Sequence, residues 1–313
     1  MDDIKLYAVL VTYNGMKWID QCLRSLAASV MKVHIVVIDN ASTDNTVAFI
    51  KEKYPFVELI CAQKNLGFGQ GNNIGLKLAI EHKADHIFLV NQDVYIQPET
   101  IGSLVRHQRA NPDYGILSPV HMNGTGTALD DHFYFFLQES YSRKFFYQCF
   151  TNQKPEPIIK TDFVNAAAWM ISKECLAKVG GFDPIFFHYG EDDNYAQRVR
   201  YQKYYSGICA DTKIFHDTER TSRMNIKKQV EKDWLNLLNQ LCDVNKEGYK
   251  TILLKRFLRY SIFLGPAVLS FNKEKIYYNF SMAKRLAGIY PAVQKSRSIT
   301  KSTEAIPHLY STY

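Results

Sequence analysis

Carboxylates and carboxamides stand directly after short apolar runs at four places in the first hundred residues, and that placement is what could do chemistry. Val11-Thr12-Tyr13-Asn14 ends one run, Asp39-Asn40-Ala41-Ser42-Thr43-Asp44 a second, Asn65 through Asn73 a third and Asn91-Gln92-Asp93 a fourth. In open parallel sheets ligands bind beyond the carboxyl ends of the strands, so these four ends should open onto one edge. Asp39 there suits a nucleobase N–H or a ribose hydroxyl, although a lone Asp also forms turns. Ser42 or Thr43 could cap a helix, with Asp44 in its first turn favoured by the helix dipole. The stretch holding Gly67, Gly69 and Gly71 has the look of a phosphate cradle, and a tight turn explains it nearly as well. Asp93, after Ile87-Phe88-Leu89-Val90, is the sharper signal. A hard divalent cation held there would bridge the protein to a diphosphate, with water and phosphate oxygens completing its shell.

Further along, Glu191-Asp192-Asp193 opens a helix-like segment after Phe186-Phe187-His188-Tyr189-Gly190. Acids at a helix start are ordinary dipole chemistry, each contributing roughly 0.3–1 kcal/mol at a surface. Three together exceed what capping requires. His216, following Ala210 through Phe215, is a candidate metal ligand or diphosphate contact, and Arg220, Ser222 and Arg223 could close over phosphates from the same loop. Trp169 suits the core better than an acceptor sugar, and Arg198 reads as an ion-pair partner on a helix surface.

The elements that must position these residues alternate in type. Lys5 to Thr12, Val33 to Asp39, Phe56 to Cys61 and His86 to Val90 are apolar and β-rich; Lys17 to Ala28, Thr43 to Lys53 and Gly71 to His82 carry helix periodicity. Strands separated by single helices pair in parallel through right-handed crossovers. A helix over Glu99 to Arg109 and a strand over Gly115 to Val120 follow. His121 to Lys160 loses periodicity and gathers aromatics, among them Phe133, Tyr134, Phe135, Phe136, Tyr141, Phe145, Phe146 and Tyr147, which suggests an acceptor-side insertion. Order returns with a strand over Phe163 to Ile171, a helix near Lys173 to Val179 and another from Glu191. Beyond about residue 225 the chain reads as helical throughout.

Composition permits one full domain with an appendage: 313 residues, 46% hydrophobic and 22% charged. The six cysteines lack CxxC spacing and resemble small buried apolar residues, so a reducing compartment fits, and the short acidic start before the first strand is unlike a secretory signal; a cytoplasmic protein is expected. Residues 220 to 301 carry 17 Lys and Arg against 5 Asp and Glu, so the +7 net charge resides in the C-terminal part. Such a skew suits an anionic surface or a solvated helical face.

In this order, VTYN, IDNASTDNT, NLGFGQGNNIG, NQDV, GGFDPIFFHYGEDDNYAQR and His216 resemble the family-2 glycosyltransferases of the GT-A fold, especially the rhamnosyltransferase-like branch, over about residues 4 to 222. The resemblance implies an α/β GT-A fold with a mostly parallel central sheet flanked by helices, a catalytic domain over 1–224 (donor half about 1–120, acceptor half about 121–224), a helical extension over 225–294 and a flexible tail over 295–313. It implies an inverting transfer from a nucleotide-diphosphate sugar to a hydroxyl of a glycan or lipid-linked acceptor in surface polysaccharide synthesis. Thr12, Tyr13, Asp39 and Asp44 would surround the nucleoside, and Asn65, Gly67, Asn72 and Asn73 would line the sugar-diphosphate. Asn14, Asn40 and Gln92 stand in the same strand ends and join that set. Asn91 and Asp93 occupy the DxD position, with Asp93 and then His216 on Mg²⁺ or Mn²⁺. Asn91 departs from the motif by being neutral, which weakens the implied metal grip. The second residue of the Glu-Asp pair is the family's base, making Asp192 the first choice and Glu191 the alternate.

Two other readings are weighed against this one. A sugar-1-phosphate nucleotidyltransferase would need a glycine-rich basic loop after the first strand, and VTYNGMKW offers only Gly15 and Lys17. A noncatalytic scaffold would have little use for Asp39, Asp93 and Asp192 at three separate ends. In the basic segment the longest charge-free stretch, Tyr260 to Phe271, is 12 residues, short of the roughly 20 a spanning helix needs. Peripheral contact with the inner face of a membrane through these helices is therefore expected, packing on the catalytic domain or a partner being its equal rival. Nucleic acid is not an expected partner, and a homodimer stays open.

Overall fold

A computed structural model describes residues 4–137, 147–148, 150–151, 153, 156–218, 224–302 and 306–309. Within them nine strands form one sheet in the order β3-β2-β1-β4-β8-β6-β9-β5, with β7 added on β9. The strands are β1 (Leu6–Thr12), β2 (His34–Asp39), β3 (Glu58–Cys61), β4 (His86–Asn91), β5 (Val94–Ile96), β6 (Tyr114–Asn123), β7 (Ile158–Thr161), β8 (Ala168–Ser172) and β9 (Tyr205–His216). β1 lies between β2 and β4, both parallel to it, and β3 extends β2 in parallel. The helices connecting them are α1 (Ile19–Ala27), α2 (Thr46–Lys53) and α3 (Gly67–Glu81). Ala8, Val9 and Leu10 of β1 are fully buried, as a strand covered on both faces must be.

The second half of the sheet is joined differently. β8 runs antiparallel between β4 and β6, whereas β6 and β9 are parallel, with a register break between Pro119 and Val120. β5 and β7, neither of which the sequence pattern revealed, both pair antiparallel with β9. Three-residue β5 is too short to show alternation, yet it carries Asp93 at its root. Inside the aromatic-rich insertion, α5 (Asp131–Phe136) is capped by Asp130, whose Oδ1 accepts from Phe133 N at 2.8 Å. Tyr141, Phe145 and Phe146 of that insertion, together with Arg220, Ser222 and Arg223, fall outside the described residues.

Two expectations about local structure need correction. The supposed glycine-rich loop is the opening of α3, which starts at Gly67 and not at Gly71. Its glycines serve close packing: a Cβ on Gly75 would sit 2.3 Å from Val9 Cγ1, and one on Gly71 3.0 Å from Val11 Cγ1, so α3 lies almost on the backbone of β1. Within the expected mobile tail from Lys295 onward, the described residues are built into the fold. It continues the last helix to Lys301, with Ser296, Arg297 and Thr300 buried, and residues 306–309 return to the catalytic half. There Pro307 O accepts from Gly181 N at 2.8 Å and His308 Nε2 meets Thr300 Oγ1 at 2.8 Å.

α4 (Thr100–Ala110), α6 (Lys173–Val179) and α7 (Glu191–Tyr201) complete the catalytic half. α8 (Ile226–Cys242), α9 (Tyr249–Leu269) and α10 (Lys273–Lys301) form the helical extension. Its own core gathers Val230, Leu237, Leu241, Met282 and Leu286 around Phe186, a residue of the segment just before α7. The extension is thereby fastened to the loop that presents the acid cluster.

Candidate active site

Everything of interest lies along the carboxyl edge of β1, β2 and β4, and hydrogen bonds between loops hold that edge together. Thr12 Oγ1 donates to Gln92 Oε1 at 2.7 Å, and Tyr13 N donates to the same oxygen at 3.0 Å, locking the ends of β1 and β4. Asn14, at φ 48°, donates its N–H to Ser42 Oγ at 2.9 Å and accepts from Thr43 N at 2.8 Å, tying β1 to β2. Asp44 Oδ1 accepts from Thr46 N at 3.0 Å, and Asp44 Oδ2 from Met16 N at 3.5 Å. Burial pushes the Asp44 pKa up, but these bonds outweigh it and leave the carboxyl below its ordinary value.

Several residues expected to touch the donor are occupied by the fold. Asn40 donates to Asn65 Oδ1 at 3.0 Å and Gly67 O at 3.1 Å, and its Oδ1 accepts from Leu66 N at 2.8 Å. Asn73 donates to Phe182 O at 2.8 Å and accepts from Phe182 N at 2.7 Å, so both ends of its amide clamp α3 to the turn before α7. Asn72 is 1% exposed and donates to Phe68 O at 3.0 Å. At Gly67, φ is +77° and a Cβ would lie 1.8 Å from Phe187 O, so crowding against protein by itself requires a glycine here. Arg198 is likewise no surface residue. It is 1% exposed and donates to Asn194 Oδ1, Val179 O and Gly181 O. Trp169 is core, stacked on Phe182 with its Nε1 donating to Val164 O at 3.2 Å.

Some of the buried polar atoms that lack a hydrogen bond fall among the candidate residues. Buried polar atoms normally find a hydrogen bond. Here Asp39 Oδ1, Asn91 Oδ1, Asn165 Oδ1 and Glu191 Oε2 are buried without one. Asp39 and Asn91 end the strands on either side of β1, in register with Thr12 and Val11. Asn165 belongs to the segment entering β8 that binds both halves of the site. Asn91 N donates to Ala167 O at 2.9 Å, and Ala166 N donates to Asp192 Oδ2 at 3.4 Å. The end of β4 and the Asp192 carboxylate are thus held by one short stretch of backbone.

The acid cluster opens α7 behind Gly190, which adopts φ 86°. Glu191 is 3% exposed; burial first, and the neighbouring Asp192 second, lift its carboxyl far above the usual range. Asp192 is half-buried and raised by burial as well, although the N–H groups of Asp193 and Ala166 oppose the shift. On the other side of β4, pairing of Val94 with His216 in the β5–β9 ladder brings His216 Nε2 to 3.4 Å from Asp93 Oδ1. Burial disfavours the imidazolium, but the Asp93, Asp130 and Asp217 carboxylates prevail and the His216 pKa is raised. Asp130 Oδ2 lies 3.5 Å from His216 Nδ1, and Trp18 Nε1 donates to Asp217 Oδ2 at 3.0 Å. Neither Asp130 nor Asp217 stood out beforehand. For Asp130 the available signal was an Asp-Asp pair capping the helix of an otherwise irregular stretch.

The donor set suits a hard cation only in part. Asp93 and His216 offer one carboxylate and one imidazole side by side, with Asp93 reaching solvent. Among the described residues no group of three or more His, Cys, Asp or Glu side chains forms a cage. Such a pair fits an ion that also takes oxygens from its substrate.

The model of the glycosyl transferase family 2 matches residues 7–180. The N-acetylglucosaminyl-diphospho-decaprenol L-rhamnosyltransferase of Mycobacterium tuberculosis is 24% identical over 236 residues, 69% of this chain and 76% of that protein. The dTDP-rhamnosyl transferase RfbF of Shigella flexneri is 24% identical over 283 residues, 87% of this chain and 91% of the relative. Among solved structures, the mannosyltransferase PcManGT of Pyrobaculum calidifontis, in complex with GDP-Man and Mn²⁺, superposes with a TM-score of 0.56 at 16% identity, covering 95% of this chain and 73% of that one. Against the longer S. aureus TarS chain the TM-score is 0.53 at 16% identity, and the match takes in 75% of this chain but 39% of that one. These neighbours share the GT-A fold. Because the family pattern spans β1 to the turn after α6, the strands that present Asp39, Asn91 and Asp93, and takes in more than half of the sequence, the protein belongs to glycosyl transferase family 2 and is rhamnosyltransferase-like within it.

Proposed function

We propose that the protein transfers a hexose or deoxyhexose, such as rhamnose, with inversion from a nucleoside-diphosphate donor to a hydroxyl of a glycan or lipid-linked acceptor in bacterial surface polysaccharide synthesis. The observation that carries this reading is the pair of unpartnered buried acceptors at one sheet edge, Asp39 Oδ1 and Asn91 Oδ1, with the Asp192 carboxylate tied to the end of the same strand as Asn91 through Ala166 and Ala167. Asp39 accepts from the nucleoside, and Asn91 accepts a ribose hydroxyl, as its neutral amide allows. Asp93 and His216 would hold Mg²⁺ or Mn²⁺, and the bound ion would supply positive charge to offset that growing on the departing diphosphate. Asp192 takes the proton of the acceptor hydroxyl as that oxygen attacks the anomeric carbon. Glu191, sealed beside it with its carboxyl pushed up by burial, serves as a hydrogen-bond partner of the sugar and is the alternate base.

Incubation with dTDP-, UDP- and GDP-sugars, with and without Mn²⁺, tests the reading. Release of nucleoside diphosphate that depends on the added ion is the expected result, with dTDP-rhamnose foremost because two relatives are rhamnosyltransferases. Pyrophosphate would instead mark a nucleotidyltransferase, and silence with every donor and acceptor a scaffold. Inverted anomeric configuration in the product, read by NMR, checks the stereochemistry.

A further inference from the structure

α9 is poorly covered for a helix of its length: of 21 residues only Tyr260 and Ala267 are buried. Leu254, Leu258, Ile262 and Leu269 all face solvent, Ile262 at 67% and Leu269 at 81% exposure, and Phe271 just beyond the helix is 87% exposed. At 3.6 residues per turn the four α9 residues fall within roughly 80° of one another, forming a single stripe. Next around the helix come Lys255 and Arg259, then Arg256 and Phe263, and finally the buried side. Apolar surface of this extent on a folded protein marks a contact site.

The cations on that flank border a groove of about 540 Å³ between α8, α9 and α10, lined by Arg256, Arg259, Phe263, Lys275 and the amides of Asn236 and Gln240. Its one acid, Asp233, already accepts from Tyr278 Oη at 2.7 Å and Gln229 Nε2 at 2.9 Å. α9 contains four Lys and Arg and no Asp or Glu. A second copy laid face to face on the stripe would bring like charges together, whereas an anionic bilayer would attract them. Among the described residues no helix is long and apolar enough to cross a membrane, so this helix could only lie along it.

We propose that the outer face of α9 docks on an anionic phospholipid surface, with Leu254, Leu258, Ile262 and Leu269 entering the acyl boundary and a headgroup phosphate seated in the groove on Arg256, Arg259 and Lys275. The surface is independent of the nucleotide chemistry and stands or falls without it.

Flotation of the full chain on phosphatidylcholine vesicles, with and without phosphatidylglycerol, tests the assignment. Binding should require phosphatidylglycerol and weaken as salt rises. Ile262→Glu and the double variant Arg256→Gln/Arg259→Gln should each lower recovery by about tenfold or more while melting as the parent does, since these side chains make no buried contact. Equal recovery of parent and variants, or none with either vesicle, overturns the proposal. So does displacement by millimolar inorganic phosphate, which would give the groove to a soluble anion. Light scattering that shows a dimer abolished by Ile262→Glu, with no vesicle binding, assigns the stripe to a second copy and equally overturns it.

Discussion

Two adjacent carboxylates with different surroundings carry the residue-scale argument. Asp192 is half-buried and bonded to the segment that also holds Asn91, whereas Glu191 is sealed and keeps an unpartnered oxygen. If Asp192 is the base, Asp192→Asn should reduce kcat by about 10²- to 10⁴-fold, and Glu191→Gln, which preserves a hydrogen-bond donor, should cost far less. The reverse order of losses in steady-state assays would make Glu191 the base. Stability gives a second readout. The folded Glu191 carboxyl ionises well above its unfolded counterpart, so between those two values the unfolded chain binds fewer protons, and stability falls as pH rises through the window. Thermal melts should therefore show Glu191→Gln increasingly more stable than the parent from pH 4 to pH 8. The acid cluster was visible in the sequence because three carboxylates are more than a helix start needs. Which of them is sealed depends on Gly69, Phe182 and α3 packed around it, contacts that no local pattern encodes.

At the scale of elements, strands and helices of the donor half were legible to within a few residues because each is a strongly periodic segment separated from the next by polar turns. The glycines of α3 were not. Read locally, Gly67-x-Gly-x-Gly is a loop, but it opens a helix whose Gly71 and Gly75 face β1 while Gly67 and Gly69 face Phe187 and Phe182, and Gly75 meets Val9 closely enough that any side chain must displace it. Gly75→Ala should destabilise the protein by about 1–3 kcal/mol in denaturant unfolding, and Val9→Ala in the same chain should recover part of that loss. A Gly75→Ala protein as stable as the parent would mean α3 can lift from the sheet. The partners of Asn73 were not legible either, because both lie far along the chain at Phe182. Short β5 was missed because three residues show no period.

For the whole molecule, the C-terminal part braces the catalytic half. Ser296 Oγ donates to Asp183 Oδ2 at 2.5 Å, and His308 Nδ1 lies 3.5 Å from Asp183 Oδ1, with Arg198 in the same buried group. Burial, reinforced by Arg198 and opposed by Asp183, pushes the His308 pKa down to about 3 from an ordinary 6.5. Between those values the unfolded chain binds the extra proton, so stability declines as pH falls from about 6.5 toward 3. His308→Gln should flatten that acid limb in pH-resolved melts; an unchanged slope would place the sensitivity elsewhere. Polar composition made residues beyond 295 look loose, since docking under the turn at Gly181 is a contact with no sequence period. The β5–β9 ladder has a consequence of another kind. It joins stretches remote in the chain, and pairings of that sort close late because the intervening loop must first be ordered. The closeness of Asp93 and His216 therefore depends on that one short pairing and on the chain folded between its strands. Loosening either strand should therefore part Asp93 from His216 while leaving Thr12 and Asp39, which the β1–β2 pairing holds by itself, where they are.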